Sequence, residues 1–100
     1  MRFHDELTQD ELIYTHLVRA TDIDMGRHMN NVVYIRLLLD CLPAKELASG
    51  RIKSIEAHYA SPCLEGETLG VFCRREDRLC RMAVRHADGR PAVLAQIVFR

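Results

Sequence analysis

A polar run between positions 21 and 31 has the residue types needed for acid–base chemistry at a carbonyl group. It contains two acids, Asp22 and Asp24, followed by His28. An aspartate can activate water or attack a carbonyl itself, and an imidazole, whose ordinary pKa is about 6.5, can orient a substrate or relay a proton. Gly26 lets the backbone approach a ligand closely or take a positive φ. Each residue also has a structural explanation, because such side chains often hydrogen-bond the backbone of a turn.

The segment that follows is apolar and is predicted to be a helix over residues 32–42. Its only charged side chains are Arg36 and Asp40, which are four residues apart and can pair on one line of the helix surface. Because the rest of the circumference is apolar, we expect the helix to be buried on most sides. Pro43 should end it, since proline cannot donate a hydrogen bond and disfavours helical geometry in the preceding residue.

The N-terminus of this helix adjoins the polar run. Asn30 or Asn31 can cap it, because an asparagine side chain accepts a hydrogen bond from a free backbone N–H. The remaining free N–H groups and the positive end of the helix dipole suit an oxyanion that develops during attack on a carbonyl. The sequence therefore predicts a base, a histidine and an oxyanion site next to one another.

Length and composition restrict the class of protein. The chain has 100 residues, 48% of them hydrophobic, which predicts one domain over residues 1–100. It has 14 basic and 14 acidic side chains, so no net charge favours nucleic acid or a membrane surface as a partner. No apolar run approaches the roughly 20 residues of a membrane span, and the polar N-terminus does not resemble a signal peptide.

The spacing of the cysteines and histidines restricts the class of protein further. The four cysteines form no Cys-x-x-Cys pair, so we expect reduced thiols in a cytoplasmic protein. No cysteine and histidine spacing suits zinc and no glycine-rich loop suits phosphate. We therefore expect neither a metal nor a cofactor.

Alternation of polar and apolar residues predicts a sheet of about five strands. Residues 1–11 form a loose or locally helical lead-in, and residues 44–50 are a linker with room for one helical turn. Asp88 and Gly89 predict a tight two-residue hairpin turn. Short connections make at least the last three strands antiparallel neighbours. Since one helix cannot cover both faces of such a sheet, we expect an α+β fold with a curved sheet wrapped round one central helix. The predicted strands are residues 12–20, 51–61, 68–75, 79–87 and 92–99.

The polar run resembles the signature of hotdog-fold thioesterases, and most closely that of their acyl-ACP thioesterase branch. It reads D-x-D-x-G-x-H-x-N-N-x-x-Y from Asp22 to Tyr34, and plant members of the branch have a similar run leading into the central helix. A second stretch resembles the strand and turn in which those enzymes carry a tyrosine and, four residues later, a cysteine. Tyr59 and Cys63 have that spacing here. The resemblance covers residues 12–100 and implies a hotdog fold.

Two positions depart from the plant pattern. Gly26 stands where the plant enzymes have an asparagine, and Pro62 stands where they have a glutamate just before the cysteine. The resemblance still makes Cys63 a candidate nucleophile, and Glu65 or Glu67 could replace the missing glutamate if either reaches the site. The structural explanations are a small apolar residue at a strand end and a solvated turn.

The plant enzymes also fuse two hotdog repeats, whereas this chain has one. The resemblance therefore implies a homodimer or homotetramer, in which the strand after the helix lies at a sheet edge and pairs with its counterpart. An exposed edge strand otherwise invites aggregation, so the pairing has a physical motive. Asp24 and His28 of one chain would then face residues 59–67 of the other.

Together with the resemblance, these residues predict a hydrolase of acyl-CoA or acyl-ACP thioesters, with a role in fatty acid biosynthesis. Asp24 would be the base or nucleophile, His28 its polar partner, and the helix N-terminus the oxyanion site. One alternative is a non-catalytic hotdog protein that binds acyl thioesters or serves as an assembly subunit. Another is a hotdog dehydratase or hydratase, although that branch typically places its aspartate and histidine five residues apart, not four. The candidate substrate-binding residues are Asn30, Asn31, Tyr34, Tyr59 and Glu65.

Overall fold

A computed structural model describes residues 5–100 as one antiparallel sheet of five strands with two helices between the first and second strands. In order across the sheet, the strands are Leu12–Leu17, Thr68–Glu76, Leu79–Arg85, Pro91–Phe99 and Ile52–Tyr59. This confirms the predicted α+β class and the five-stranded antiparallel sheet. None of the helices in the described residues has the length and apolar character that crossing a membrane requires. The elements are β1 (Leu12–Leu17), α1 (Asn31–Leu39), α2 (Ala44–Ala48), β2 (Ile52–Tyr59), β3 (Thr68–Glu76), β4 (Leu79–Arg85) and β5 (Pro91–Phe99), with 3-10 turns at Gln9–Glu11 and Ala20–Asp22.

The strand that follows the helices, β2, lies at one edge of the sheet and pairs only with β5 among the described strands. The predicted edge position is therefore confirmed. The pairing of this edge with a second chain, and with it the homodimer or homotetramer, stays a prediction.

The turn between β4 and β5 is longer than expected. His86 N–H donates to Arg90 O at 2.9 Å, so residues 87–89 form a three-residue turn. Gly89 takes a φ of +92° and donates its N–H to His86 O at 2.9 Å. The predicted two-residue turn is wrong because only the glycine takes a positive φ, whereas the tight turn needs two such residues.

Helix α1 is covered on most of its circumference, as expected. Besides its buried residues, Ile35 and Leu39 pack against the same core, whereas Val32 remains 72% exposed. The predicted pair of Arg36 with Asp40 is wrong, because Arg36 Nη2 instead lies 3.6 Å from Asp22 Oδ1. The buried residues of α1 are Val33, Tyr34, Leu37 and Leu38.

The main core lies between α1 and the concave face of the sheet. Alternation along β1 and the residue after it places Tyr14 and Val18 toward this core and leaves Ile13 52% exposed, as the sequence pattern predicted. Side chains from α1, β3, β4 and β5 complete the core. Its fully buried members with the largest side chains include Leu37, Leu38, Leu69, Met82 and Ile97.

The segment before β1 crosses the convex face of the sheet. Leu7 is buried there against Phe72, in a small cluster that also contains Ala83 and Leu94. Glu11 Oε2 accepts a hydrogen bond from Arg74 Nε at 2.6 Å. The 3-10 turn at Gln9–Glu11 matches the local helix expected in the lead-in, and these contacts show that residues 5–11 are packed on the sheet and not loose. Residues 1–4 lie outside the described part of the chain.

Candidate active site

The polar run begins with a buried anchor. Asp22 is 5% exposed, and its Oδ2 accepts hydrogen bonds from His16 Nε2 at 2.8 Å and from Arg19 N–H at 3.0 Å. Burial alone would raise the pKa of Asp22, but these hydrogen bonds outweigh it and hold the pKa below its ordinary value. Asp22 therefore fixes the turn between β1 and α1, which is a structural task.

Asp24 lies on an exposed turn that is held by backbone contacts. Its Oδ1 accepts the Gly26 N–H at 2.8 Å, and its own N–H donates to His28 O at 3.1 Å. A Cβ at Gly26 would lie 3.2 Å from Oδ1, so the turn closes tightly over the carboxylate. Asp24 Oδ2 has no hydrogen-bond partner within residues 5–100. The carboxylate thus combines one fixed oxygen with one free oxygen.

The first turn of α1 is capped by Asn30, as expected. Asn30 Oδ1 accepts the Val32 N–H at 2.8 Å, and Asn30 O accepts the Val33 N–H at 2.9 Å. The Asn31 N–H has no acceptor among the described residues. One backbone donor at the positive end of the helix is therefore open to a ligand.

The second motif packs directly on this helix end. Met29 N–H donates to Cys63 O at 2.9 Å, and Cys63 N–H donates to the Tyr34 hydroxyl at 3.0 Å. The rings of Tyr34 and Tyr59 meet edge to face, with their centroids 5.6 Å apart. The two motifs therefore meet within one chain, and the arrangement in which Asp24 and His28 also face residues 59–67 of a second chain stays a prediction.

A cavity of about 240 Å³ lies where these segments converge. Four candidates from the sequence line it, namely His28, Asn31, Tyr34 and Tyr59. The remaining candidates, Asp24, Asn30, Cys63 and Glu65, do not line it. The full lining is His28, Met29, Asn31, Tyr34, Tyr59, Ala60, Ser61 and Pro62.

Neither Cys63 nor Glu65 lines this cavity. Cys63 is fully buried, and burial raises the pKa of its thiol, which favours the unreactive protonated form. Glu65 is exposed in the turn before β3, next to Gly66, whose φ is +92°. The structure gives neither residue a position from which it reaches the cavity.

A second group of polar side chains begins at Ser61, which lines the cavity, and continues to His86 and Glu67, which do not line it. The Ser61 hydroxyl lies 2.7 Å from His86 Nε2, and His86 Nδ1 lies 2.6 Å from Glu67 Oε1. Glu67 Oε2 accepts the Leu64 N–H at 2.6 Å. Burial would raise the pKa of Glu67, but the hydrogen bonds from His86 and Leu64 N–H outweigh it and lower the pKa. Glu67 therefore holds the imidazole of His86 in place. It does not line the cavity, so it does not replace the glutamate that the plant enzymes carry before the cysteine.

The sequence alone does not identify Ser61 or His86 as a functional candidate. His86 is only 6% exposed, and it reaches Ser61 across 25 positions of the chain. The signal that the sequence offers for His86 is its position directly before the hairpin turn. Cys63, Glu67 and His86 also each offer a ligand atom within 4.8 Å of one another, but a metal ion there would take a nitrogen of His86 that is already hydrogen-bonded.

Solved structures resemble this chain over most or all of its length. An acyl-ACP thioesterase from Bacteroides thetaiotaomicron matches with a TM-score of 0.88 at 23% identity, covering 100% of this chain and 41% of that one. The 12:0-ACP thioesterase from Umbellularia californica matches with a TM-score of 0.82 at 20% identity, covering 100% and 40%. A Staphylococcus aureus protein solved in complex with CoA matches with a TM-score of 0.73 at 16% identity, covering 87% and 72%. These likenesses establish the hotdog fold.

The chain spans about two fifths of the length of the first two structures. Its residues 5–100 match the family model of the acyl-ACP thioesterase C-terminal domain. This chain therefore belongs to the acyl-ACP thioesterase C-terminal domain family, which confirms the resemblance inferred from its two motifs. A comparison with curated proteins gives no match.

Proposed function

We propose that this chain hydrolyses acyl thioesters of an acyl carrier protein or CoA at the cavity beside the N-terminus of α1. The observation that carries the proposal is the open N–H of Asn31, a residue that lines the cavity together with His28. An unpaired N–H at a helix N-terminus stabilises the oxyanion formed when a thioester carbonyl is attacked. Family membership supports the acyl carrier protein as the thiol carrier, and the CoA complex of the Staphylococcus aureus protein supports CoA.

Asp24 is assigned as the base that activates water. Its Oδ1 is held by Gly26 N–H, which leaves Oδ2 free to accept a water proton. The backbone bond from Asp24 N–H to His28 O keeps the carboxylate next to the histidine that lines the cavity. Because Asp24 itself does not line the cavity, a water molecule between carboxylate and carbonyl suits the geometry better than direct attack by the aspartate.

His28, Tyr34 and Tyr59 are assigned to binding and orienting the substrate. The exposed imidazole of His28 can orient the thioester carbonyl or relay a proton. Tyr34 and Tyr59 provide an aromatic wall for the first carbons of the acyl chain. The Tyr34 hydroxyl also accepts a hydrogen bond from Cys63 N–H, which holds this ring in place.

The test is thiol release from acyl-CoA and acyl-ACP substrates of varied chain length. We expect Asp24→Asn to lower turnover by about 10²- to 10⁴-fold, which is the usual contribution of a general base. Asp10→Asn changes another exposed aspartate, which lies in the turn before β1 and does not line the cavity, and should match the parent. Equal turnover in the parent and Asp24→Asn would contradict the assignment of Asp24. Saturable acyl-CoA binding without turnover in the parent would favour the non-catalytic alternative.

A further inference from the structure

The hydrogen-bonded chain of Ser61, His86 and Glu67 has no task in the mechanism above. Its two links measure 2.7 Å and 2.6 Å, and they join the two nitrogens of one imidazole to a hydroxyl and a carboxylate. A nucleophile, a base within hydrogen-bond reach, and a third group that orients the base form the arrangement used in covalent catalysis. The cluster therefore has the composition and geometry of a nucleophilic relay.

The hydrogen positions follow from the acceptors present. Glu67 is ionised near neutral pH and can only accept, so His86 Nδ1 must carry the hydrogen directed at Oε1. In the neutral imidazole, Nε2 is then an acceptor, and the Ser61 hydroxyl is the donor within reach. Ser61 Oγ also lies 2.9 Å from Pro91 O, which gives the hydroxyl a second acceptor. The reactive arrangement requires only that the hydroxyl rotate toward Nε2.

Ser61, and not Cys63, has access to a substrate. Ser61 is half-buried and lines the cavity together with His28 and Asn31. Cys63 is fully buried, and both imidazole nitrogens of His86 are already engaged by other partners. The serine is therefore the group of this cluster that an acyl chain in the cavity can meet.

We propose that Ser61 is a nucleophile that takes the acyl group from the thioester and holds it as an acyl-serine ester. This proposal rests on the proposed function for the identity of the substrate. Ser61 Oγ attacks the thioester carbonyl while its proton passes to His86 Nε2, and Glu67 holds the imidazole in place. The Oγ–carbon bond forms, the carbon–sulfur bond breaks, and the departing thiolate takes the proton from His86 Nε2 to leave as a thiol.

Hydrolysis of the ester returns the enzyme to its starting state. A water molecule attacks the acyl-serine carbonyl and gives one proton to the Asp24 carboxylate. The carbonyl–Oγ bond breaks, Ser61 Oγ regains a proton from solvent in the open cavity, and Asp24 returns its proton to solvent. Asp24 then acts on the second step, so its removal should trap the acyl group on Ser61.

The experiment mixes Asp24→Asn with octanoyl-CoA and measures intact mass, followed by peptide mapping. We expect an octanoyl group on the peptide that contains Ser61, and no such adduct in Asp24→Asn with Ser61→Ala. Ser61→Cys in the same background keeps a nucleophile in place and should carry the acyl group as a thioester, which a purely structural serine would not do. Ser49→Ala is the matched control, because the Ser49 hydroxyl bonds Glu46 O outside the cavity and should leave the adduct unchanged.

A second reagent separates this proposal from the proposed function. The activated ester p-nitrophenyl butyrate should acylate Ser61 in Asp24→Asn but not in Asp24→Asn with Ser61→Ala, whether or not any thioester is hydrolysed. Acylation of Ser61 in Asp24→Asn, together with no thioester turnover by the parent, would support the nucleophile and overturn the proposed hydrolysis. Thioester turnover that is equal in the parent and Ser61→Ala, with no adduct in Asp24→Asn, would overturn the nucleophile and leave the hydrolysis standing. If neither octanoyl-CoA nor p-nitrophenyl butyrate labels Ser61, the nucleophile assignment is also overturned.

Discussion

The turn around Asp24 and the cluster around His86 lie close to one cavity but are built in opposite ways. The turn is exposed, and its carboxylate is held by a backbone N–H two residues away. The cluster is largely buried, and its side chains hold one another over separations of 19 and 25 residues. A group held by its own backbone can be recognised from a short motif, whereas a group held by distant side chains depends on the complete fold.

This difference has an energetic consequence. Exposed turn residues away from caps and strained backbone usually change stability by no more than about 0.5 kcal/mol when substituted. A buried polar group left without its partner costs about 1–3 kcal/mol. Substitutions in the turn should therefore affect activity with little effect on folding, and substitutions in the cluster should affect both.

Substitution of His86 in the cluster and of His28 in the turn should give the largest difference in stability between the two regions. We expect His86→Ala to lower the free energy of unfolding by about 3 kcal/mol, because it opens a cavity and removes partners from Ser61 and Glu67. His28→Ala, at an exposed position, should change it by less than about 0.5 kcal/mol while lowering turnover at least tenfold. Urea unfolding and thiol release measure both quantities. Equal destabilisation by the two variants would remove the distinction between the regions.

The fold could be predicted further than the site. Alternation along the strands identified all five, since side chains on a strand point alternately to the core and to solvent. The asparagine before α1 was a recognisable cap, and Asn30 has that role. Pairing across the chain was not predictable in the same way. Arg36 lies within reach of Asp22 and not Asp40, because the turn before α1 brings a buried carboxylate up against the helix.

The candidate site was even harder to predict from the sequence than the fold, for the same reason. His28 and Asn31 were found because they belong to one local run, and both line the cavity. Ser61 and His86 come together only through the register that pairs β5 with β2 and β4. Nothing in the residues around either position indicates this contact. The exposure of Asp24 and the burial of Cys63 were likewise set by how the two loops pack on α1.

The anchor residue Asp22 gives a pH-dependent test. Because its pKa is lowered in the folded state, Asp22 contributes stability that is fully present above its ordinary pKa of about 3.9 and is lost as pH falls through the lowered value. We expect Asp22→Asn to cost about 1–3 kcal/mol at pH 7, since hydrogen bonds from His16 and Arg19 N–H lose their ionised acceptor.

The measurement is the urea midpoint of parent and Asp22→Asn from pH 7 down to about pH 3. The gap between them should narrow as the pH falls below about 4. Asp10→Asn, an exposed acid, should follow the parent throughout. A constant gap over this range would mean that ionisation of Asp22 contributes nothing to folding.

The adjacent asparagines of α1 provide the smallest and most local contrast. Asn30→Ala should cost about 1 kcal/mol of stability, because the cap to Val32 N–H is lost. Asn31→Ala removes a side chain with no such bond and should leave stability within about 0.5 kcal/mol of the parent. It should also preserve most of the turnover, because the assigned oxyanion donor is a backbone N–H. Thermal unfolding with thiol release measures the pair, and similar losses of stability in both would contradict the cap assignment.

The bond from Cys63 N–H to the Tyr34 hydroxyl gives this molecule a built-in reporter. Most protected amides of a sheet protein exchange with deuterium when a strand separates, but this amide exchanges when the loop lifts from α1. Local opening of this kind occurs at a lower free energy than global unfolding. Deuterium uptake at Cys63 therefore measures how often the wall of the cavity opens, and an acyl chain bound between loop and helix would slow that uptake.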